Sequence, residues 1–570
     1  MPPERHVESS IHPELAEHTQ LFTKRIDRIG ERVYNAVGYN IANVIMIEGD
    51  DGVVIVDTGI CLEQGRDTWA DLQKITHKPI AGIVYTHHHA DHCQGTRAFL
   101  TAEQAESGSV PIVAHETLAP EYQHESGLIG PIMSARAFSM YNLLLDGEDL
   151  RDMNVGIGPR FQPGVNAFVP PNVTFGDSME LEIAGVRMEM HWVPSEAHSE
   201  LCIWLPDERT LLSAEVIQDH CYPNIYTVRG AKYRDPQQWY RSIDTMRELA
   251  IDADAMVLQH GPHVVGRDAV HEVLRNYRDA IQYTHDQTLR WANRGYAKDE
   301  IAAMVRLPPH LETFAPWLRP FYGSVEHSVP QIYCGAIGWF DGDPTALHPT
   351  PRAEYATRLV TLMGGRDAVL AEAERAFDDG DPQFVAELTS YVIRIDPGDG
   401  EARRLKAAAF RSMGYASINP TWRGFYLTGA RVLEGSLDVD AIYPFAGVSM
   451  VSAEVLGGFP ARNQVDGLPP RLKAEETVDL VAAVAFHYTD VDETWTVEIR
   501  RGVAEVRKGA AITGVSGTRV SLGRLLSGIT PVAEGIADPA LSVDGSPDAL
   551  VGWLGHFEQL YREFPNYFLR

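Results

Sequence analysis

Residues 81–92, AGIVYTHHHADH, run an apolar segment straight into four histidines and an aspartate. The first half reads as a buried strand and the second as a loop at its end. Few arrangements tolerate so much imidazole and carboxylate at one strand end, because polar groups are costly to bury unpaired. Neutral imidazole and carboxylate are ligands of divalent metals such as zinc, and each binds deprotonated. Alternate side chains aim the same way, so His87 and His89 grip one ion. Asp91 and His92, beyond the turn, face a second ion, and His88 and Ala90 become spacers. The remaining ligands must come from elsewhere in the chain.

The flanking sequence supplies strands to carry them. NVIMIEGDDGVVIVDTG reads as a hairpin about an Asp-Asp-Gly turn, and 62–78 reads as a helix. Further strand candidates are VPIVAH (110–115), MELEIAGVRMEMHWV (179–193), LCIWLP (201–206), TLLSAE (210–215) and DAMVLQHG (254–261). Strands mixed with helices predict a layered α/β domain over 1–265. From 266 to about 430 the apolar period is helical, with DGDP and DPGDG stops between helical hairpins. From 431 to 570, TWTVEIRRGVAEVRKG alternates apolar and polar residues about a tight turn, which predicts a small α+β domain. A length of 570 residues suits several cores of this kind.

The net charge of −29 argues against nucleic acid as a partner, since phosphate neutralisation needs a basic face. It does not exclude a small anionic substrate, because a local metal or arginine outweighs distant charge. The five cysteines form no CxxC pair, so no disulfide framework is expected. The opening MPPERHVESSIHPELAEHTQ is polar and no run approaches a membrane span, so a cytoplasmic location is expected, or a periplasmic or secreted one if a signal has been trimmed.

His87-His88-His89-Ala90-Asp91-His92 resembles the HxHxDH motif of the metallo-β-lactamase superfamily. Upstream, Asp57 in VIVDTG resembles the aspartate that supports the metal loop there. The resemblance implies a four-layer αβ/βα sandwich with a binuclear metal site at one edge. Within that frame, Glu196 in PSEAHSE takes the third-ligand slot, Glu215 at the end of TLLSAE the bridging slot, and His260 in LQHGPH the last. Glutamate in both slots is similar to the alkylsulfatases of this superfamily, which hydrolyse dodecyl sulfate and secondary alkyl sulfates. HCYPNIYTVRGAKYRD (220–235) resembles their sulfate-recognition stretch, which implies roles for His220, Asn224 and Arg229. The helical region resembles the family's dimerisation domain, and the last domain its sterol-carrier-like module. Gln94-Gly95, Pro194-Ser195 and Pro223 depart from the usual family residues, which leaves the metal set intact and bears on pocket shape.

The implied activity is hydrolysis of an alkyl sulfate to alcohol and inorganic sulfate by a homodimer holding two zinc ions per chain. The metals would activate a water, whose pKa falls from about 15.7 towards roughly 7 on coordination. Arg229 offers a fork suited to a tetrahedral oxyanion, and Asn224 donates beside it. His220 would protonate the leaving oxygen. Tyr226 and Tyr141 border the expected site, although ordinary packing accounts for either. Cleavage at sulfur or at carbon would use the same residues. Another hydrolase of the superfamily (ester, thioester or phosphodiester) and a non-catalytic surfactant- or lipid-binding protein are the competing readings. Trp291, Trp317, Phe321 and Trp339 suit a subunit interface and an intramolecular core equally, and Trp495, Val497 and Ile499 form an apolar strand face that suits a core or, less often, the cover of a tunnel for hydrophobic tails.

Overall fold

The computed structural model describes residues 7–125, 129–448, 453–458, 460–509 and 514–569. Val/Ile-rich segments form a first sheet of β1 (Arg25–Ile29), β2 (Val33–Val37), β3 (Val44–Glu48), β4 (Val53–Val56), β5 (Ile80–Val84), β6 (Ile112–His115) and β7 (Val173–Phe175), in that spatial order. Strands β1 to β4 pair antiparallel and β4 to β7 parallel. The β3–β4 hairpin sets Ile45 opposite Val56 about the Asp-Asp-Gly turn.

The second sheet contains β8 (Ser178–Ile183), β9 (Val186–Trp192), β10 (Leu201–Leu205), β11 (Thr210–Leu212), β12 (Ala255–Val257) and β13 (Val264–Val265). The stretch 179–193, expected as one strand, is a hairpin instead. Ile183 faces Val186, and Ala184 and Gly185 turn with φ of 52° and 73°. That left-handed pair matches the twist of a tight hairpin, and alanine is an unusual occupant of it.

Ile45, Val54 and Val84 from the first sheet meet Met188, Ile203 and Leu212 from the second in a fully buried core. Leu72, on the helix Leu62–Leu72, covers the outer face of the first sheet. The helices Pro236–Leu249 and Arg267–Ala292 cover the second, burying Trp239, Val270 and Tyr277. The result is a four-layer α/β/β/α sandwich. The sheets meet at one edge, where Leu201 N–H donates to Thr86 O (2.9 Å) and the Asn43 amide donates to Leu258 O and Gly261 O (3.0 and 2.8 Å).

Beyond the sandwich, the helices Arg366–Asp378, Pro382–Ile395, Gly400–Ala416 and Pro420–Glu434 stack as antiparallel hairpins. Their starts follow from the stops read in the sequence. Asp381, Asp399 and Asn419 cap the last three helices by accepting N–H groups of the first turn, and Gly435 ends the fourth in the left-handed region. Of the two readings open for Trp317 and Phe321, both take the intramolecular one: Trp317 packs on His220, and Phe321 stacks on His18 at 3.9 Å. Trp339, by contrast, is 62% exposed.

The last sheet has the order β16 (Val503–Lys508), β15 (Glu493–Arg500), β14 (Val481–Tyr488), β17 (Gly514–Gly517) and β18 (Ser542–Asp544). Trp495, Val497 and Ile499 form its packed core. The chain then returns to the sandwich, where the Tyr567 hydroxyl meets Ser139 at 3.0 Å.

Candidate metal centre

Five strand ends converge at the edge where the sheets meet. Asp57 follows β4, the segment 87–92 follows β5, Glu196 follows β9, Glu215 follows β11 and His260 follows β12. Glu215 Oε2 stands at the middle. It lies 3.2 Å from His87 Nε2, 3.3 Å from His92 Nε2, 3.4 Å from His260 Nε2 and 3.7 Å from His89 Nδ1. Asp91 Oδ2 is 3.6 Å from His92 Nε2 and 3.9 Å from His260 Nε2. Glu196 joins His89 and Glu215 within a 4.8 Å group.

The ring orientations follow from what each opposite nitrogen touches. His92 Nδ1 lies 2.7 Å from Asp57 Oδ2, so it carries the proton and donates. Thr86 donates both its N–H and its hydroxyl to Asp57 at 2.8 Å, which leaves its oxygen to accept from His87 Nδ1 at 3.1 Å. His260 Nδ1 sits 3.1 Å from the carbonyls of Ile41 and Ile157, acceptors both. Three Nε2 lone pairs therefore point inward at Glu215, an outer-contact pattern typical of metal-binding histidines. His92 Nε2, His260 Nε2 and Glu196 Oε2 are buried and make no hydrogen bond among the described residues. His87 Nε2 and His89 Nδ1 approach to 2.8 Å, an arrangement that needs a proton or cation to be favourable. The donor set fits divalent metal: His87, His92 and Glu215 lie within 4.8 Å of one another through their ligand atoms, as do Asp91, His92 and His260, and His89, Glu196 and Glu215.

Electrostatics agree with a cluster built for cations. Burial and the neighbouring His92 hold His87 well below its ordinary value, and burial takes His89 down to about 4. Burial also opposes charge on Glu215, yet His260 and the other imidazoles hold it well below the usual carboxylate range. Glu196 moves the other way: burial and the charge of Glu215 raise it, with Arg234 opposing.

Several supports carry no motif. Glu200 is fully buried; its Oε1 accepts the Glu215 N–H at 2.7 Å, and its Oε2 accepts the Ser195 hydroxyl beside Glu196. Burial and Glu215 push the Glu200 carboxyl up to about 8. Gln218 donates to Glu215 Oε1 (3.0 Å) and accepts from Asn224 N–H (2.7 Å). Arg234 Nη1 reaches Glu196 Oε1 at 2.6 Å and Asn224 O at 2.5 Å. The only sequence hint for Glu200 and Arg234 is proximity: each lies four or five residues past a candidate residue. The left-handed backbone at Ala214 (φ 53°) sits immediately before Glu215, the kind of strain retained at functional sites.

The sulfate-stretch residues divide. Asn224 is 1% exposed, and its Nδ2 has no hydrogen-bond partner among the described residues. Arg229 is part-buried beside Glu125 (3.4 Å), and Tyr141 and Tyr322 influence its charge, their hydroxyls 3.1 Å apart. Burial opposes the Glu125 carboxylate, but Arg229 and His88 hold it well below the usual range. His220 lies edge-on to Trp317 (4.8 Å), lowered by burial, and makes no hydrogen bond through its ring among the described residues. Tyr226 is half-buried and likewise makes no hydrogen bond or ring contact among them. His88 turns away from Glu215: Ser199 Oγ accepts its N–H (3.1 Å) and contacts its Nδ1 (2.8 Å). His198 is exposed, and His263 is part-exposed near Asp27.

The chain matches three protein families: the metallo-beta-lactamase superfamily over residues 37–260, alkyl sulfatase dimerisation over 297–436 and alkyl sulfatase C-terminal over 449–565. It is 44% identical to a linear primary-alkylsulfatase of Pseudomonas sp. (strain ATCC 19151), across 90% of this chain and 98% of that protein. It is 28% identical to an (R)-specific secondary-alkylsulfatase of Pseudomonas sp., across 97% of this chain and 84% of that one. The solved structure of the stereoselective inverting sec-alkylsulfatase Pisa1 from Pseudomonas sp. superposes with a TM-score of 0.88 at 27% identity, covering 98% of this chain and 89% of that one.

Proposed function

The chain belongs to the alkylsulfatases of the metallo-β-lactamase superfamily, sulfuric ester hydrolases, and we propose that it cleaves alkyl sulfates at a two-zinc centre built around Glu215. The observation that carries this reading is the convergence of four imidazole nitrogens on one Glu215 oxygen, within 3.2–3.7 Å. His87, His89 and Glu196 would hold one ion, Asp91, His92 and His260 the other, with Glu215 shared. Bound there, two zinc ions supply Lewis acidity and a water made acidic near neutral pH.

The remaining work falls to side chains. Arg229 and the Asn224 amide nitrogen, which has no partner among the described residues, hold the sulfate oxygens, and Gln218 links the Asn224 backbone to Glu215. The three carboxylate ligands hold down the positive charge of the centre. Glu200 keeps the Glu215 backbone and the Ser195–Glu196 turn in register. We assign proton transfer to the leaving oxygen to His220, whose ring is positioned by Trp317. The pKa of His220, lowered by burial, makes it a readier donor once protonated. Tyr226 borders the alkyl chain in this reading.

A homodimer through the helical region completes the proposal. Ile337, Trp339, Leu347, Tyr355 and Leu362 are 49–81% exposed and fall within the dimerisation match, which supports placing the partner subunit there. No helix among the described residues is long and apolar enough to cross a membrane.

A panel of linear, secondary and branched alkyl sulfates tests the activity by inorganic sulfate release. Release should occur with at least one class, stop with a chelator and return with zinc. Ester, thioester or phosphodiester turnover without sulfate release would overturn the reading.

A further inference from the structure

Arg229 faces a carboxylate at close range. Its Nη1 lies 3.4 Å from Glu125 Oε2, with the side chains 11% and 17% exposed. Glu125 Oε1 stands 4.0 Å from His88 Nε2, and a Glu125 oxygen lies within 4.8 Å of a ring nitrogen of His89. Ser199 Oγ accepts the His88 N–H, so its hydroxyl hydrogen is free for His88 Nδ1 and the ring proton sits on Nε2, towards Glu125. Glu125 is thus a fixed negative charge, held between Arg229 and His88.

A carboxylate is a poor neighbour for an anion unless it does something for selectivity. We infer that Glu125 is a charge filter, which makes the Arg229 site prefer singly charged sulfate monoesters over doubly charged phosphate monoesters. The inference rests on the sulfate-site reading of Arg229. Sulfate and phosphate monoesters are both tetrahedral and present the same oxygens to a guanidinium fork, so shape separates them poorly. Charge separates them well, because a phosphate monoester gains its second charge above roughly pH 6. Glu125 cancels much of the Arg229 charge, and its repulsion acts once on a monoanion and twice on a dianion. One such charge contact at about 5 Å changes binding from about fourfold to a few hundredfold, depending on the effective dielectric.

The test is binding of 1-octanesulfonate, a single charge that cannot be hydrolysed, and of 1-octyl phosphate to the zinc-loaded full chain at pH 8 by calorimetry. The Glu125→Gln variant should strengthen octyl phosphate at least about tenfold relative to octanesulfonate, and Glu125→Asp should keep the wild-type ratio. An unchanged ratio in Glu125→Gln, with both ligands weakened by Arg229→Ala, would overturn the filter and leave the anion site standing. Both affinities unchanged in Arg229→Ala would sink the anion site and the filter together. Loss of zinc from Glu125→Gln would make Glu125 a metal ligand and overturn the inference.

Discussion

Asp57 Oδ2 lies 2.7 Å from His92 Nδ1 and also accepts the Thr86 hydroxyl, which in turn accepts from His87. One buried carboxylate therefore sets the tautomers of two histidines whose ring centroids lie 3.9 Å apart and whose Nε2 atoms both face Glu215. An Asp57→Asn amide has one acceptor and one donor end, so it cannot receive Thr86 N–H, Thr86 O–H and His92 together. Metal affinity should fall about 10- to 100-fold, measured by competition with a chromogenic chelator. Unchanged affinity would show that the histidines are oriented by something else.

Arg234 ties Glu196 to the Asn224 carbonyl through one nitrogen. Arg234→Met keeps most of the volume and leaves a buried carboxylate without its cation, a loss of about 3–5 kcal/mol. The expected result is a lower melting temperature of the metal-depleted protein and weaker sulfate binding, read as a raised KM. A variant with wild-type melting and KM would remove Arg234 from the account.

Arg229→Ala should keep the full metal content and raise KM for alkyl sulfates by roughly tenfold to a hundredfold, the usual cost of a charged hydrogen bond. Metal analysis alongside the kinetics separates this from collapse of the centre. Full turnover at low substrate would place the sulfate elsewhere.

Lys406 offers a test far from the metals. Its Nζ donates to Phe568 O at 3.3 Å from a buried position, and burial with nearby Arg394 lowers its pKa from 10.5 to about 8. Between about pH 8 and 10.5 the unfolded chain binds more protons here, so stability rises with pH across that window. Below pH 8 the burial cost is carried in full, on the order of 3 kcal/mol. Lys406→Met should raise the melting temperature at pH 7 and flatten its rise between pH 8 and 10. An unchanged slope would contradict it.

Much of this arrangement was legible because it is local. The frame of HHHADH follows from strand alternation, whereas Glu196, Glu215 and His260 are distant in sequence and were reached only through the resemblance. The β8–β9 hairpin was not legible, since Ala184 gives no turn signal and only the backbone reveals its left-handed φ. Glu125 was hidden for a different reason. It sits 36 residues beyond His89, on another segment, and reaches Arg229 only through packing of the whole sandwich. His220 was reached only through the resemblance, because no spacing in the sequence marks it; the structure sets its ring against Trp317.

The central claim is that one glutamate organises two metals for sulfate-ester hydrolysis. The direct measurement is a zinc titration of metal-depleted wild type and Glu215→Ala, following bound zinc and inorganic sulfate release together. Wild type should reach full sulfate release at about two zinc per chain, and Glu215→Ala should bind less than one tightly and release none. Full sulfate release by metal-depleted wild type, or by Glu215→Ala, would contradict the account.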